Sequence, residues 1–425
     1  MNICVVGCGY VGLTTGAVLA QFKHNVTCVD TNENKILQLS KGLCPFHENG
    51  LEELIQKEIS DNRLSFSTDT QLGMHKNEVI IIAVGTPSCE NGQTDLSYVN
   101  QVISDLAETF DQPKVIIIKS TVPPGTNDSM KNSLIELGVN KEKFSIISNP
   151  EFLREGNALD DLLHPDKIVV GGDQPEHLEL IRKLYDYTPS TYFFTTPVCA
   201  EIIKYTSNAF LATKISFINE IAKVCDAFGA NVNTVADAIG TDPRIGPHFL
   251  KAGIGYGGYC LPKDIKSLCY AANDKGVKLP LLHAVEETNN SQVDLYIKKI
   301  ETELGSVRNL VITVWGLSFK SNTDDLRDSP SIRLIEKLIE QGAIIKGYDP
   351  MANPESPSFI YYDNLYDSVI ESDVLIIATD CNEFTHADWK KVKQHMRGNL
   401  IVDARNCIDP TAVRSLKLKY VALGG

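Results

Sequence analysis

The first thirty residues contain the pattern that most constrains the fold. A short apolar run at residues 3–6 leads into the glycine-spaced segment GCGYVG at 7–12, and a helical pattern follows. A second apolar run at residues 25–29 then ends in Asp30. Strand, glycine turn, helix, strand and acid in this order let the backbone approach a pyrophosphate at a helix N-terminus, while the acid accepts from ribose hydroxyls. The pattern predicts a dinucleotide-binding βαβ unit.

The residues around Asp30 indicate which dinucleotide is bound. A carboxylate repels a 2′-phosphate, and Thr31 and Asn32 follow Asp30 where an arginine would favour NADP. The sequence therefore predicts NAD. Lys35 lies farther along, where a solvated helix lysine and a cofactor contact are equally good interpretations.

A second informative segment is GIGYGGYCLPKD at residues 253–264. Pro262 suits an early helix position, because its missing N–H group costs nothing there. Cys260 then lies at a helix N-terminus, where partial positive charge favours the nucleophilic thiolate. Lys263 adds positive charge, and Asp264 lies one turn beyond Cys260. We interpret Cys260 as a catalytic cysteine rather than a buried structural one.

Alternating strands and helices continue through the first half of the chain. Apolar runs at residues 78–84, 114–119 and 144–148 lead into polar loops that begin at Gly85, Ser120 and Asn149. In doubly wound sheets, ligands bind at the carboxyl ends of the strands. Together with the loop at residues 7–12, these three loops make four at one edge of the sheet, and they predict a ligand-binding site there.

The middle of the chain is helical, and the last third repeats the first in outline. Lys204 and Asn208 are an i,i+4 pair on one helix face. The last third lacks the three-glycine turn but offers Lys320 and Arg405 at strand ends, where they suit phosphate. We expect an α/β protein with two Rossmann-like doubly wound domains joined by a helical central domain. The expected boundaries are 1–198, 199–300 and 301–425.

Composition excludes several classes of protein. A formal charge of −14 and a pI near 5.2 argue against nucleic-acid binding. The eleven cysteines show no CxxC pair or metal-ligand spacing, so we predict no metal. Met1 lies two residues before the first apolar run, and no apolar run is long enough for a bilayer. We expect no membrane association and a cytoplasmic location.

The motifs together resemble the nucleotide-sugar 6-dehydrogenases, the UDP-glucose/GDP-mannose dehydrogenase family. They run in order along the chain as GxGxxG, VGTP, STVPPGT, NPEFLREG, CLPKD, GLSFKSNTDDLRDSP and DARN. The resemblance implies an NAD-binding first domain, a helical middle that forms a homodimer, and a third domain that holds UDP.

The implied reaction oxidises the C6 alcohol of a nucleotide sugar to the uronate, with UDP-glucose as the first choice of substrate. Cys260 would capture the aldehyde as a thiohemiacetal, and a second oxidation would give a thioester that water hydrolyses. Lys204 and Asn208 would stabilise negative charge on oxygen, and Glu151, Asp264 and Thr121 would handle protons or position water.

The resemblance also implies binding residues. NAD would be held by Gly7, Gly9, Tyr10, Val11, Gly12, Asp30, Lys35, Thr86, Thr121, Glu155, Lys263 and Arg327. The UDP-sugar would be held by Glu151, Phe152, Leu153, Arg154, Glu155, Lys204, Asn208, Arg244, Phe249, Leu250, Lys251, Ala252, Gly253, Gly257, Phe319, Lys320 and Arg405. In the family, the arginine that matches Arg244 reaches in from the partner subunit.

Other functions stay open at this point. Tyr259 precedes the cysteine, where family members usually have a small residue, so GDP-mannose or a UDP-N-acetylhexosamine are alternative substrates. The two-Rossmann layout also resembles 3-hydroxyacid dehydrogenases, which perform one oxidation without a cysteine nucleophile. A non-enzymatic NAD-sensing module is a third interpretation. Cys260 with Lys204 and Asn208 favours the 6-dehydrogenase.

Overall fold

The computed structural model describes residues 1–355 and 357–425 and divides into two compact units. Unit 1 comprises residues 1–207 and 266–277, and unit 2 comprises residues 208–265 and 278–425. Each unit is built on its own sheet. The expectation of two Rossmann-like sheets, joined along the sequence by a helical segment, is confirmed.

Unit 1 contains an eight-stranded sheet. Its strands are β1 (Asn2–Val6), β2 (Asn25–Val29), β3 (Leu64–Ser67), β4 (Val79–Ile82), β5 (Lys114–Ile118), β6 (Phe144–Ser148), β7 (Lys167–Gly171) and β8 (Thr191–Thr195). Their order is 3-2-1-4-5-6-7-8, and all neighbours are parallel except β6 and β7. The first six strands have the order of a dinucleotide-binding sheet, whose ligands bind where the strand order reverses, between β1 and β4.

The helices of unit 1 cover both faces of this sheet. They are α1 (Tyr10–Gln21), α2 (Glu33–Ser40), α3 (Leu51–Ser60), α4 (Thr70–Lys76), α5 (Ser97–Ala107), α6 (Thr126–Glu136), a 3-10 turn (Lys141–Lys143), α7 (Ala158–Leu163), α8 (Pro175–Leu184) and the start of α9 (Pro197–Phe228). Ile3 and Val5 of β1 pack into one apolar cluster, and Cys4 and Val6 pack into another. Burial on both faces explains why the strands are unbroken apolar runs.

Unit 2 combines the central helices with a six-stranded sheet. Its further elements are α10 (Val232–Gly240), α11 (Cys260–Asp274), α12 (Pro280–Leu304), β9 (Val311–Trp315), α13 (Pro330–Glu340), β10 (Ile344–Tyr348), β11 (Ile360–Tyr361), α14 (Leu365–Ser368), β12 (Val374–Ile377), α15 (Asn382–Thr385), α16 (Trp389–His395), β13 (Leu400–Asp403), α17 (Pro410–Ser415) and β14 (Lys419–Ala422). The strands are all parallel in the order 11-10-9-12-13-14, which repeats the 3-2-1-4-5-6 pattern. Helix α9 passes from unit 1 into unit 2 after residue 207, and α11 passes from unit 2 into unit 1 after residue 265.

One face of the second sheet is closed by an aromatic cluster. The ring of Trp315 at the end of β9 stacks on Phe384 at 5.5 Å between centroids and lies 6.3 Å from Trp389. The indole N–H of Trp315 donates to Ser368 Oγ at 2.9 Å, so the buried polar atom is paired. The other face packs against the central helices.

A buried asparagine holds the glycine-rich segment that precedes α11. Asn289 on α12 accepts from the Tyr256 N–H at 2.8 Å and donates to the Tyr256 carbonyl at 3.0 Å. Gly255 has a φ of +101°, and a Cβ atom there would lie 2.4 Å from Asn289 Oδ1. The glycine and the asparagine therefore fix this segment together.

Replacing Asn289 with alanine is expected to lower the free energy of unfolding by about 2–4 kcal/mol, since two buried backbone groups lose their partners. Urea unfolding followed by circular dichroism measures this. Asn290→Ala is the matched control, because Asn290 is exposed and its side chain accepts an exposed hydrogen bond from Arg333 Nη1 at 3.1 Å. Equal effects of the two substitutions would contradict the role of Asn289.

Candidate active site

The glycine loop after β1 has the shape that a dinucleotide requires. Gly7 has a φ of +101°, and a Cβ atom on Gly12 would lie 1.9 Å from the Gly7 carbonyl oxygen. By contrast, no atom lies within 4 Å of the position of a Cβ on Gly9. Gly9 directly precedes α1, so the open space lies where backbone N–H groups at a helix N-terminus can face a pyrophosphate.

Asp30 is held as a carboxylate at the end of β2. It accepts from the backbone N–H groups of Cys8 at 2.9 Å and Asn32 at 3.0 Å, and from Lys35 Nζ at 2.8 Å. Burial alone would raise the pKa of Asp30, but the hydrogen bonds from Lys35, Asn32 and Cys8 lower it below its usual range. Lys35 is thus an ion-pair partner of Asp30, and its contact with the cofactor stays a prediction. With the open side of Gly9, these residues fit a bound dinucleotide.

Two neighbouring loops at the same sheet edge are tied together. Thr86, after β4, donates from Oγ1 to the carbonyl oxygen of Thr121, after β5, at 2.9 Å. Both threonines were predicted to contact NAD, and the structure brings them into direct contact. The parallel strands β1, β4, β5 and β6 end at this edge, as the sequence predicted.

Glu151 and Lys204 form a buried ion pair in unit 1. Glu151 Oε1 lies 2.9 Å from Lys204 Nζ, and the two side chains are only 7% and 4% exposed. Burial would raise the pKa of Glu151, but Lys204, the Leu153 N–H group and Lys119 lower it. The carboxylate therefore stays ionised, and Lys204 is fixed at one end of α9. Because each charge is paired, the pair is stable only while both partners are present.

The rest of the loop after β6 has mixed surroundings. The ring of Phe152 lies below two ammonium groups, those of Lys167 at 4.3 Å and Lys204 at 5.5 Å from the centroid. Leu153 packs against the apolar core, and Arg154 forms an ion pair with Asp161. Of these predicted substrate residues, Leu153 and Arg154 have structural partners in unit 1.

Sequence reasoning missed the buried groups that support this loop. Lys119, at the end of the β5 apolar run, donates to Asn149 Oδ1 at 3.2 Å and to Tyr185 OH at 2.8 Å. Glu48 accepts from the N–H groups of Gly156 at 2.9 Å and Leu159 at 3.1 Å, and it bonds to the Tyr10 hydroxyl. A lysine that ends an apolar strand was a signal for Lys119, whereas no local spacing pointed to Glu48.

In unit 2, helix α11 begins at Cys260, where the sequence predicted a helix N-terminus. Cys260 is partly buried, and Asp264 follows one turn later. The Asp264 carboxylate accepts from Asn208 Nδ2 at 2.6 Å and from Lys263 Nζ at 2.7 Å, and Asp264 is 1% exposed. The structure thus brings Asn208, Lys263 and Asp264 together on and beside the helix that begins with the cysteine.

The glycines before Cys260 are required by close packing. A Cβ atom on Gly257 would lie 2.2 Å from the Asp328 carbonyl oxygen, and one on Gly258 would lie 2.7 Å from the Phe319 ring. Gly258 also donates its N–H to the Arg327 carbonyl at 3.1 Å. These glycines let the segment lie directly on the loop that follows β9.

Tyr259 contacts two of the cations that were predicted to bind NAD. The guanidinium carbon of Arg327 lies 4.6 Å from the centroid of its ring, and Lys263 Nζ lies 5.5 Å from it. Both distances are within the range of cation–π attraction. The bulky side chain before the cysteine therefore has defined neighbours in unit 2.

Arg405 joins three loops of unit 2. Its Nε, Nη1 and Nη2 atoms donate to the carbonyl oxygens of Ala378 at 2.8 Å, Gly255 at 3.1 Å and Phe319 at 2.8 Å. A Cβ atom on Gly253 would lie 2.7 Å from the carbonyl oxygen of Ala404, so this glycine is also set by packing. Arg405 thus holds these three loops together.

The remaining predicted substrate residues differ in exposure. Leu250 and Ala252 lie in the core of unit 2, whereas Lys251 is exposed and 3.6 Å from Asp380. Arg244 is exposed and pairs with Asp242. Phe249 is 39% exposed with a φ of +63°. Lys320 Nζ lies 5.6 Å from the centroid of the neighbouring Phe319 ring.

Within residues 1–355 and 357–425, no helix has the combination of length and apolar character needed to cross a bilayer. The same residues contain no group of three His, Cys, Asp or Glu side chains that could hold a metal ion.

Comparisons with known proteins cover the whole chain. Residues 1–188 match the NAD binding domain of the UDP-glucose/GDP-mannose dehydrogenase family, residues 199–291 its central domain, and residues 313–410 its UDP binding domain. YtcA of Bacillus subtilis is 45% identical, with 100% of both chains covered. The UDP-glucose 6-dehydrogenase TuaD of the same organism is 39% identical, with 100% of this chain and 93% of TuaD covered.

Two solved structures of nucleotide-sugar dehydrogenases are also similar to this chain over its full length. A UDP-glucose dehydrogenase from Pyrobaculum islandicum has a TM-score of 0.93 at 33% identity, covering 100% of this chain and 97% of that one. A UDP-D-ManNAc dehydrogenase from Pyrococcus horikoshii has a TM-score of 0.90 at 28% identity, covering 100% and 99%. The chain therefore belongs to the UDP-glucose/GDP-mannose dehydrogenase family.

Proposed function

We propose that this protein is an NAD-dependent UDP-glucose 6-dehydrogenase, which oxidises the C6 alcohol of UDP-glucose in two steps to UDP-glucuronate. Full-length relatives with this activity in their names support the proposal. The observation that carries it is the start of α11, where Cys260 leads a helix whose first turns contain the bonded Lys263 and Asp264. A single-step dehydrogenase has no use for a cysteine in this position.

NAD, when bound, would accept a hydride in each of the two oxidations. The residues of this chain that would hold it are the glycine loop, Asp30 with Lys35, and the Thr86–Thr121 contact in unit 1. Tyr10 and Val11 lie at the start of α1, where the helix N-terminus favours the pyrophosphate. Glu155, Lys263 and Arg327 complete the proposed set.

Cys260 would act as the nucleophile. After the first oxidation, its thiolate adds to the aldehyde carbon to form a thiohemiacetal, so the aldehyde is not released. The second oxidation converts the thiohemiacetal to a thioester on Sγ. Water then attacks the thioester carbonyl, releases the thiolate and gives the carboxylate of the product.

The polar residues would manage charge during these steps. Lys204 and Asn208, one turn apart on α9, would stabilise negative charge on the sugar oxygen. The pairing of Glu151 with Lys204 and of Asp264 with Asn208 keeps both carboxylates positioned as proton acceptors or water-orienting groups. Thr121 would help to orient water.

We propose a separate role for each of the three expected segments. Residues 1–198 would bind NAD, residues 199–300 would carry the cysteine and form the subunit interface, and residues 301–425 would bind UDP. Phe319, Lys320 and Arg405 of the last segment, with residues 249–253 and Gly257, would hold the nucleotide sugar. The loop at residues 151–155 would contribute from the first segment.

We further propose that the protein is a homodimer in the cytoplasm. Phe210, Phe217 and Val224 recur every seven residues along α9, Phe228 follows one turn later, and all four are exposed. An apolar stripe of this kind on a long helix favours packing against another protein surface. Arg244, also exposed, would then reach the substrate site of the partner subunit.

A substrate panel tests the proposed function. UDP-glucose, GDP-mannose and UDP-N-acetylhexosamines are each supplied with NAD, and NADH is followed by absorbance. Two NADH per UDP-glucose are expected. One NADH per substrate would favour a single-step dehydrogenase, and turnover of another nucleotide sugar alone would assign that substrate and give Tyr259 a role in choosing it.

Cofactor choice follows from Asp30. Because its pKa is lowered and a carboxylate repels a 2′-phosphate, kcat/KM with NAD is expected to exceed that with NADP by about 100-fold. Asp30→Asn keeps an acceptor for the Cys8 N–H but removes the charge, so the preference should narrow. Steady-state kinetics with both cofactors measure this, and similar efficiencies for the original chain would contradict the assignment.

Replacing Arg405 with alanine is expected to raise KM for the nucleotide sugar by about tenfold or more while leaving KM for NAD nearly unchanged. The substitution removes a proposed ligand of the nucleotide sugar, and it also removes the hydrogen bonds that hold three loops together. Kinetics and thermal unfolding of the same variant separate the two effects. Equal increases in both KM values would show that Arg405 is only structural.

Replacing Cys260 with serine is expected to leave UDP-glucose binding intact but stop turnover, because serine is a far poorer nucleophile at neutral pH. Any remaining chemistry should stall as an ester, seen as one added sugar nucleotide per subunit in the intact mass. Cys260→Ala should form no adduct, and Cys269→Ser on the same helix is the matched control. Full turnover by Cys260→Ala would eliminate the covalent route.

A further inference from the structure

The N-terminus of helix α6 is capped by a carboxylate from a distant helix. Gly125 precedes α6 with a φ of +94° and has no side chain to cap it. Glu201 on α9 accepts the N–H of Gly125 at 2.6 Å with one oxygen and the N–H of Asn127 at 2.8 Å with the other. Glu201 is only 4% exposed, so its carboxylate is buried, and the two backbone N–H groups are its hydrogen-bond donors there.

This cap fixes the loop that contains Thr121. The loop at residues 120–125 connects β5 to α6, and the carbonyl of Thr121 is already bonded to Thr86. Glu201 lies three residues before Lys204, on the same helix. The loop is therefore attached to the turn of α9 that leads directly to Lys204.

A second link closes a ring of contacts within unit 1. Asn127, at the start of α6, donates from Nδ2 to Ser148 Oγ at 3.0 Å. Ser148 is the last residue of β6, and Glu151 follows it and pairs with Lys204 on α9. The ring thus runs from Glu201 through α6 and the end of β6 back to α9.

The charge of Glu201 is finely balanced. Burial raises its pKa to about 7, the N–H groups of Asn127 and Gly125 act in the opposite direction, and Asp128 on α6 adds to the rise. Above that pH the carboxylate is mainly ionised, and an ionised carboxylate is the stronger acceptor for both N–H groups because neither oxygen carries a proton.

We propose that Glu201 is a positioning residue for the oxidation. It fixes the position of the Thr121 loop relative to the Glu151–Lys204 ion pair, because all of these groups are attached to α9. This inference rests on the proposed function, in which Thr121, Glu151 and Lys204 lie at the reacting alcohol. The misplacement of such groups by about 1 Å can cost about 100-fold in rate.

The first test is Glu201→Gln, assayed at pH 8. The amide has the same shape but turns an N–H donor toward one of the two backbone donors. We expect kcat to fall by about 10- to 100-fold, with KM for NAD and for UDP-glucose within about threefold of the original values. Asp128→Asn is the matched control, because it removes a charge beside the same helix terminus without breaking the cap, and its kcat should stay within about twofold.

A double-mutant cycle with Thr121→Ala separates positioning from general destabilisation. If Glu201 acts through this loop, the two losses in kcat will combine to less than their product. Ser148→Ala breaks the other link of the ring and should lower kcat in the same direction, which tests the ring even if Glu201→Gln does not fold. Losses that multiply, or a Glu201→Gln enzyme with unchanged kcat, would overturn the proposal.

Hydrogen exchange keeps the test independent of the assigned reaction. Residues 121–130 should exchange faster in Glu201→Gln than in the original chain or in Asp128→Asn, because one of the two capped N–H groups loses its acceptor. If the original chain does not oxidise UDP-glucose but this exchange difference is present, the function is wrong and the cap is right. Unchanged exchange would refute the cap itself.

Discussion

Parallel pairing of strands that are buried on both faces is the constraint on which both units depend. Alternate residues of β1 enter different apolar clusters, and so do alternate residues of β12, where Val374 and Leu375 face opposite ways. No polar side chain can then be placed along a strand without a buried partner. The polar side chains therefore lie in the loops at the strand ends, and because the strands are parallel, the loops of several strands lie at the same edge of the sheet.

The charged groups at these edges are stable because each has a partner. Lys119 donates hydrogen bonds to Asn149 and Tyr185, and Glu151 forms an ion pair with Lys204. In unit 2, Asp264 has both an amide and an ammonium donor. Such arrangements fix side-chain direction as well as charge, because a buried ion that leaves its partner loses several kcal/mol. The geometry of the candidate site is therefore set by pairs rather than by isolated residues.

The five strands predicted in the first half of the chain, β1, β2, β4, β5 and β6, lie within two residues of their expected ends, because double burial leaves an apolar run that is easily recognised. The start of α11 at Cys260 followed from Pro262 and the preceding glycines. Long-range partners could not be predicted in this way. Glu201 caps a helix 74 residues earlier in the chain, and Asn289 holds a segment 33 residues away. Neither contact leaves a periodic or local pattern, since only the folded chain brings the two parts together.

Because long-range contacts leave no local pattern, the sequence also described the surroundings of some predicted site residues incompletely. Arg405 at a strand end looked like a phosphate ligand, and the structure adds three loop carbonyls to its contacts. Lys35 had two equally good interpretations, as a solvated lysine and as a cofactor contact, and the structure adds an ion pair with Asp30 to its surroundings. A side chain of that length can reach several groups, so its position along the chain does not determine its partner.

The aromatic cluster of the second sheet has a practical consequence. The chain has two tryptophans, Trp315 and Trp389, and both belong to that cluster. Intrinsic fluorescence excited at the red edge of indole absorption therefore observes only unit 2, while unit 1 is optically silent. A spectroscopist who follows emission during denaturation would record the melting of unit 2 and would need a second probe for unit 1.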